Sequence, residues 1–250
     1  MFPRTGALER RRGSHWWPNA GVYVDLTTSK EIRLARVHHV RLLHIAVASI
    51  WLMVAMLVPA RAETALDCFS ENKDLWIPGC TALIQRPGIE PEQLSSAYAM
   101  RALGYSLKGQ YDSAISDYDS AIRINPDFAV ALNNRAWAYF RSGRAQQGLP
   151  DVEKSLKLNP LSEHSWDTRA HIRQASGNFT GAFDDYEKAV QIGGERMIRL
   201  YQCGLKENGL YNGPVDGLYT TEVRGALRTC AKTTTCDPLP ADEQCRAATS

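Results

Sequence analysis

The chain has 250 residues, 44% of them hydrophobic, and a formal net charge of +2, which leaves room for one large domain or two small ones. Its charge is uneven: residues 1–62 hold 9 Lys and Arg against 3 Asp and Glu, a net +6, and the other 188 hold 20 against 24, a net −4. A mildly acidic body lacks the basic face that neutralises phosphates, so nucleic acid is excluded as a partner.

The first segment, residues 1–35, is basic, carries Trp16 and Trp17, and shows no period. It reads as a disordered extension or an over-long start, with translation beginning near Leu34 or Val37. Residues 36–62 read as a signal peptide. Arg33, Arg36 and Arg41 precede a mostly apolar run from Leu42 to Val58, and Pro59-Ala60-Arg61-Ala62 supplies a small-x-small site. As a helix the run would span roughly 25 Å, short of the ~30 Å hydrocarbon core. Cleavage after Ala62 is expected, giving a periplasmic or secreted protein. The chain would meet a membrane only if the signal stayed uncleaved.

All six cysteines follow that site: Cys68, Cys80, Cys203, Cys230, Cys236 and Cys245. An even count in an exported body reads as disulfides, and the absence of C-x-x-C argues against a zinc or thioredoxin-type centre. Proximity favours Cys68–Cys80, and the expected remaining pairs are Cys203–Cys230 and Cys236–Cys245.

From Ser95 to Arg196 the chain repeats itself. Gly109, Gly143 and Gly177 are thirty-four residues apart. Ala102, Ala136 and Ala170 precede them, and Ala114, Gly148 and Ala182 follow, then Ala121, Ser155 and Ala189. The blocks close at Pro126, Pro160 and Gly193-Gly194. A fixed period of this length signals stacked supersecondary units. Each block reads as two helices with small and apolar residues at helical spacing. The first helices are Gln93–Leu107, Val130–Arg141 and Glu163–Ala175; the second are Tyr111–Ile124, Ala145–Leu158 and Phe179–Ile192. Tyr118, Val152 and Tyr186 should fill the wedge between paired helices. The glycines relax the backbone at the turns, and proline ends the second helices. Gly148 and Pro150 should weaken the start of the second helix in block two.

At these residues the chain resembles the tetratricopeptide repeat family, with Gly-Gln-Tyr-Asp-Ser-Ala-Ile (109–115) and Ile-Asn-Pro (124–126) close to its consensus. Arg173 departs from it, standing where Tyr105 and Tyr139 stand in the other units. The resemblance implies an all-α superhelix of antiparallel helix pairs, with repeats at 95–128, 129–162 and 163–196. Residues 63–94 would form a capping half repeat around a helix at Leu75–Ile84, with Cys80 on its core side, because end repeats must shield their neighbours. The family's first helices line a concave groove for peptides or proteins. Its positions map onto Ala99, Leu103 and Ser106, then Asn133, Trp137, Phe140 and Arg141, then His164, Asp167, His171 and Gln174. An apolar wall would meet a polar wall. Trp137 and Phe140 either line the groove as a hot spot or pack against the neighbouring unit. Ala99 and Asn133 stand where a carboxylate clamp needs Lys, so that variety is not expected.

His164, Asp167 and His171 share one helix face. Imidazole and carboxylate suit zinc or copper, but no fourth ligand is evident, and a solvated groove face is the expectation. No cofactor is expected. No nucleophile–base set is legible either, so the reading is of a non-enzyme.

Residues 197–250 differ in character. Ile198, Leu200, Tyr201 and Leu205 make an apolar helix face. A turn-rich run from Gly209 to Tyr219 follows, then a helix capped by Thr220 or Thr221 with Val223, Ala226 and Leu227 inward. Gly-Leu-Tyr-Asn-Gly-Pro-Val-Asp-Gly-Leu-Tyr and Thr-x-x-Val-Arg-x-Ala-Leu resemble the small peptidoglycan-binding domain of bacterial wall enzymes. That resemblance implies glycan contacts at Tyr211, Asp216 and Tyr219. The family's second half is missing, which favours a structural cap on the superhelix. The expectation is therefore an exported bacterial adaptor that holds a protein or peptide in its groove; the alternative is a protein that binds peptidoglycan through the C-terminal module.

Overall fold

A computed structural model of the chain describes residues 65–239, all within the compact unit Ala62–Ser250. The extension, the signal segment and Cys245 lie outside the described residues. Within them the regular elements are helices, and no helix is long and apolar enough to cross a membrane.

The described chain opens with two 3-10 turns, Ala65–Phe69 and Lys73–Leu75, and the helix α1, Trp76–Ile84. Cys68 and Cys80 are joined, with Cα atoms 4.3 Å apart, and Cys80 is buried. The Trp76 Nε1–H donates to Ser70 O at 2.7 Å and pins the turn to the helix. Gly79 lies where a Cβ would meet Cys68 N at 2.5 Å, so only glycine lets α1 approach the turn.

Three helical hairpins follow: α2 (Pro91–Leu107) with α3 (Tyr111–Ile124), α4 (Ala129–Arg141) with α5 (Ala145–Leu158), and α6 (Glu163–Ala175) with α7 (Phe179–Glu207). The expected boundaries stand to within two residues, except that α7 runs on after a break at Gly194, whose φ is 56°. One device closes each hairpin. Gln110 N, Arg144 N and Asn178 N donate to Tyr105 O, Tyr139 O and Arg173 O at 2.9, 2.8 and 2.9 Å. Each bond spans a glycine in the left-handed region, where a side chain would be strained. Tyr118, Val152 and Tyr186 are fully buried between paired helices.

Gly148 corrects one expectation. A Cβ there would lie 2.7 Å from Ala136 O and 2.9 Å from its Cα. Gly148 is thus where α5 presses on α4, and α5 runs unbroken through Pro150.

A second set with the same period, absent from the sequence reading, ties each hairpin together. Arg101, Arg135 and Arg169 form two-point bonds to Asp117, Asp151 and Asp185, sixteen residues on, at 2.6–2.8 Å. Arg135 also reaches back to Asp119 of the preceding repeat at 2.7 Å, and Arg101 to Thr81 of α1 at 3.1 Å. Planar guanidinium suits such two-point contacts. Arg173 joins Asp185 at 2.8 Å, which accounts for arginine at that tyrosine position.

Beyond Gly194 the second limb of α7 carries Met197, Ile198, Tyr201 and Leu205 into a core with Tyr211, Val223 and Leu227 of the last helix, α8 (Thr221–Cys230). The Thr220 hydroxyl accepts from Val223 N and caps α8. Cys230 pairs with Cys236, which overturns both expected pairs, Cys203–Cys230 and Cys236–Cys245. The reason is local: after α8 the chain reverses, with Lys232 N on Thr229 O and Thr233 N on Cys230 O, and Cys236 returns to within 5.2 Å of Cys230, Cα to Cα. Cys203 is also disulfide-bonded.

Candidate functional site

The inner helices α2, α4 and α6, with the second limb of α7 and Leu239, enclose a groove of about 590 Å³. Leu103 of α2 lines it, α4 presents Val130, Asn133, Asn134 and Trp137 to it along one helix face, and α6 adds His164. Val130 is 61% exposed. The Asn133 side-chain oxygen is buried without a hydrogen-bond donor among the described residues. His164 is exposed, and beside it Arg196 reaches Glu163 at 2.6 Å.

The two halves of the expected wall differ in fate. Trp137 and Phe140 are half-buried, 5.1 Å apart, and both touch the His171 ring, at 5.2 and 5.3 Å. The aromatic chain continues through Tyr186 to Tyr201, so the pair packs on the neighbouring repeat, with Trp137 also reaching the groove. The Arg141 guanidinium stands 5.7 Å over the Trp137 ring.

His171 and Gln174 do not form an open polar wall, because residues 230–237 of the same chain cover them, and Asp167, which borders the groove, is buried against Tyr201 of α7. Gln174 Nε2 donates to Cys230 O, Thr233 O and Cys236 O at 3.2, 2.5 and 2.7 Å, and its Oε1 accepts from the Tyr186 hydroxyl. His171 Nδ1 donates to Asp167 O at 2.9 Å and Nε2 to Asp237 Oδ1 at 3.0 Å. The Tyr201 hydroxyl donates to Asp167 Oδ1 at 2.6 Å. A backbone reversal supplies carbonyls, and the side chains at these positions complete their bonds with them.

Burial disfavours the His171 charge, but the Asp167 and Asp237 carboxylates outweigh it and raise the imidazole to about 9. Burial would raise Asp237, yet the His171 bond and charge hold it below the usual carboxylate range. Burial pushes Asp167 up, against the pull of His171 and the Tyr201 bond. Both His171 nitrogens are thus engaged as donors. Among the described residues there is no cluster of three or more side chains able to hold a metal.

In the C-terminal module, Tyr211 is buried with its hydroxyl on Pro214 O at 2.8 Å. Asp216 Oδ1 accepts from Gln202 Nε2 and Leu218 N at 2.8 and 2.9 Å. The half-buried Tyr219 donates to Glu187 at 3.2 Å, where Arg224 also binds. Tyr211 and Asp216 bond within the module, and Tyr219 ties it to Glu187 of repeat three.

The sequence reading did not single out Asp237, Arg196 or Leu239. Nothing local marks them, because a fold-back of more than sixty residues brings Asp237 to His171. No curated protein matches the chain. The family model described as a TPR repeat matches residues 105–143, from the last turn of α2 to the turn after α4, and TPR repeats generally mediate protein–protein binding.

Proposed function

We propose that the chain is an exported bacterial adaptor that holds a short, mixed-polarity segment of a partner protein in the 590 Å³ groove. The observation that carries this reading is the groove's mixed lining: exposed Val130 with Leu103 and Trp137, and among them the amides Asn133 and Asn134 and the imidazole of His164. Export is supported by the leader pattern and by the Cys68–Cys80 and Cys230–Cys236 disulfides, which persist in oxidising compartments. The reading needs no catalytic group and no cofactor.

The test is selection of a displayed random-peptide library on the chain from Glu63 onward, followed by calorimetric titration of enriched peptides. Val130→Asp and Leu103→Asp should each weaken binding about tenfold or more, with the helical circular dichroism unchanged. Affinity indifferent to both would overturn the groove. Sedimentation with insoluble peptidoglycan that survives Val130→Asp but is lost with Tyr219→Ala would instead establish the wall-binding alternative.

A further inference from the structure

The segment over repeat three is built as a flap. It leaves α8 at Cys230 and rejoins packed structure at Pro238, which is buried and lies against Gly204 of α7. Asn208 Nδ2 holds Asp237 O at 2.8 Å beside that anchor. Between the anchors Lys232, Thr233, Thr234 and Thr235 are exposed. What seats the flap on α6 is the set of three carbonyls on Gln174 and the Asp237 carboxylate on His171. Turn bonds after α8 reverse the backbone, and the bond between Cys230 and Cys236, six residues apart, closes the loop that presents those carbonyls. Opening so short a loop returns conformational freedom that the seated flap must give up.

The flap covers its seat without filling it. A second cavity of about 320 Å³ lies beneath, lined by Phe140, Arg141, His171, Gln174, Thr234 and Thr235 among others. The cysteines also differ in exposure. Cys68, Cys80 and Cys230 are fully buried, whereas Cys236 is half-exposed. An attacking thiolate therefore reaches the Cys236 sulfur first.

Resting on the reading that the concave face binds peptide, we propose that Cys230–Cys236 is a redox latch: its reduction frees residues 232–237 and opens the α6 end of the groove to an acidic peptide segment. The reductant is a dithiol. One of its thiolates attacks Cys236 Sγ, the Cys230–Cys236 bond breaks, and Cys230 departs as a thiolate that takes a proton. The second dithiol sulfur then attacks the mixed disulfide and releases Cys236. Two electrons pass to the chain, and the reductant ends as its own disulfide. The ligand's chemistry follows from what the flap supplies in cis, namely main-chain carbonyls for Gln174 and a carboxylate between His171 and Arg141, the latter a cation that also favours the charged form of Asp237.

The test uses the full chain with Cys230→Ser and Cys236→Ser together, and the same with Asp237→Ala added. The probe is a synthetic peptide copying residues 230–239 with both cysteines replaced by serine and Lys232 by alanine, which leaves the Asp237 carboxylate as its one side-chain charge. The His171 imidazole, followed by NMR, should titrate near 9 in the oxidised protein and move toward the ordinary ~6.5 in the double variant. The groups facing it are Asp167, Asp237, Tyr186, Tyr201 and Arg141, and of these only Asp237 rides on the flap. The peptide should bind the triple variant at least about tenfold more tightly than the oxidised chain, whose tethered flap competes at millimolar effective concentration. An unchanged His171 titration in the double variant overturns the latch. A shifted titration with no peptide binding overturns the acidic-segment site. If the variants lose helical circular dichroism, graded dithiothreitol treatment of the native protein replaces them, with peptide mapping of alkylated thiols to select the stage at which Cys230 and Cys236 are reduced and Cys68, Cys80 and Cys203 are not. Loss of library-peptide binding to the groove with the His171 shift intact would sink the adaptor reading and leave the latch standing.

Discussion

His171 joins three parts of the chain through one ring: Asp167 on its own helix, Asp237 on the flap and Trp137 on the preceding repeat. A raised imidazole is a statement about stability. The contribution is complete below the ordinary ~6.5 and is lost as pH rises through about 9. Asp237, held low, contributes in the opposite sense: its share is present above the ordinary ~3.9 and fades as acid protonates it. Urea-unfolding free energies should therefore fall by up to about 3 kcal/mol between pH 6.5 and 9.5. The His171→Gln chain should show little of that slope, and an equal slope in both proteins would remove His171 as its source. None of this was legible in the spacing of His164, Asp167 and His171. That spacing predicts a shared helix face, but what lies over the face comes from residues far along the chain.

The helices tell the other half of that comparison. Tyr111–Ile124, Ala145–Leu158 and Glu163–Ala175 begin and end where the sequence predicts, because glycine turns and terminal prolines act within a few residues. The Arg–Asp pairs were equally periodic, yet charged residues on a helix read first as a solvated face; only the hairpin geometry turns them inward. Arg135 is the strongest case, bonded to Asp151 and Asp119 at once. Arg135→Ala would leave the Asp151 carboxylate, 12% exposed, without its partner, a loss of roughly 3 kcal/mol. Asp112→Ala, which removes an ion pair whose carboxylate is 90% exposed, should change stability by less than about 0.5 kcal/mol. Equal losses in the two variants, measured by thermal unfolding, would show that the buried pairs are no more than surface pairs.

At the scale of the molecule, each hairpin packs chiefly on its neighbours in sequence, so stability is close to a sum of repeats and the interfaces between them. The N-terminal end depends on the Cys68–Cys80 staple. Cys68→Ser with Cys80→Ser should cost about 2–3 kcal/mol, and hydrogen exchange should rise first in α1 and α2, leaving α6 protected; uniform loss of protection would mean the stack unfolds as one unit. The C-terminal end carries a consequence of a different kind. The seat on α6 and the carboxylate that closes it are 66 residues apart. A chain leaving the ribosome at about 5–20 residues per second completes the seat roughly 3–13 s before Asp237 emerges. For that interval the most polar stretch of the inner surface stands bare, and whatever is nearby with a spare carboxylate has first claim on it.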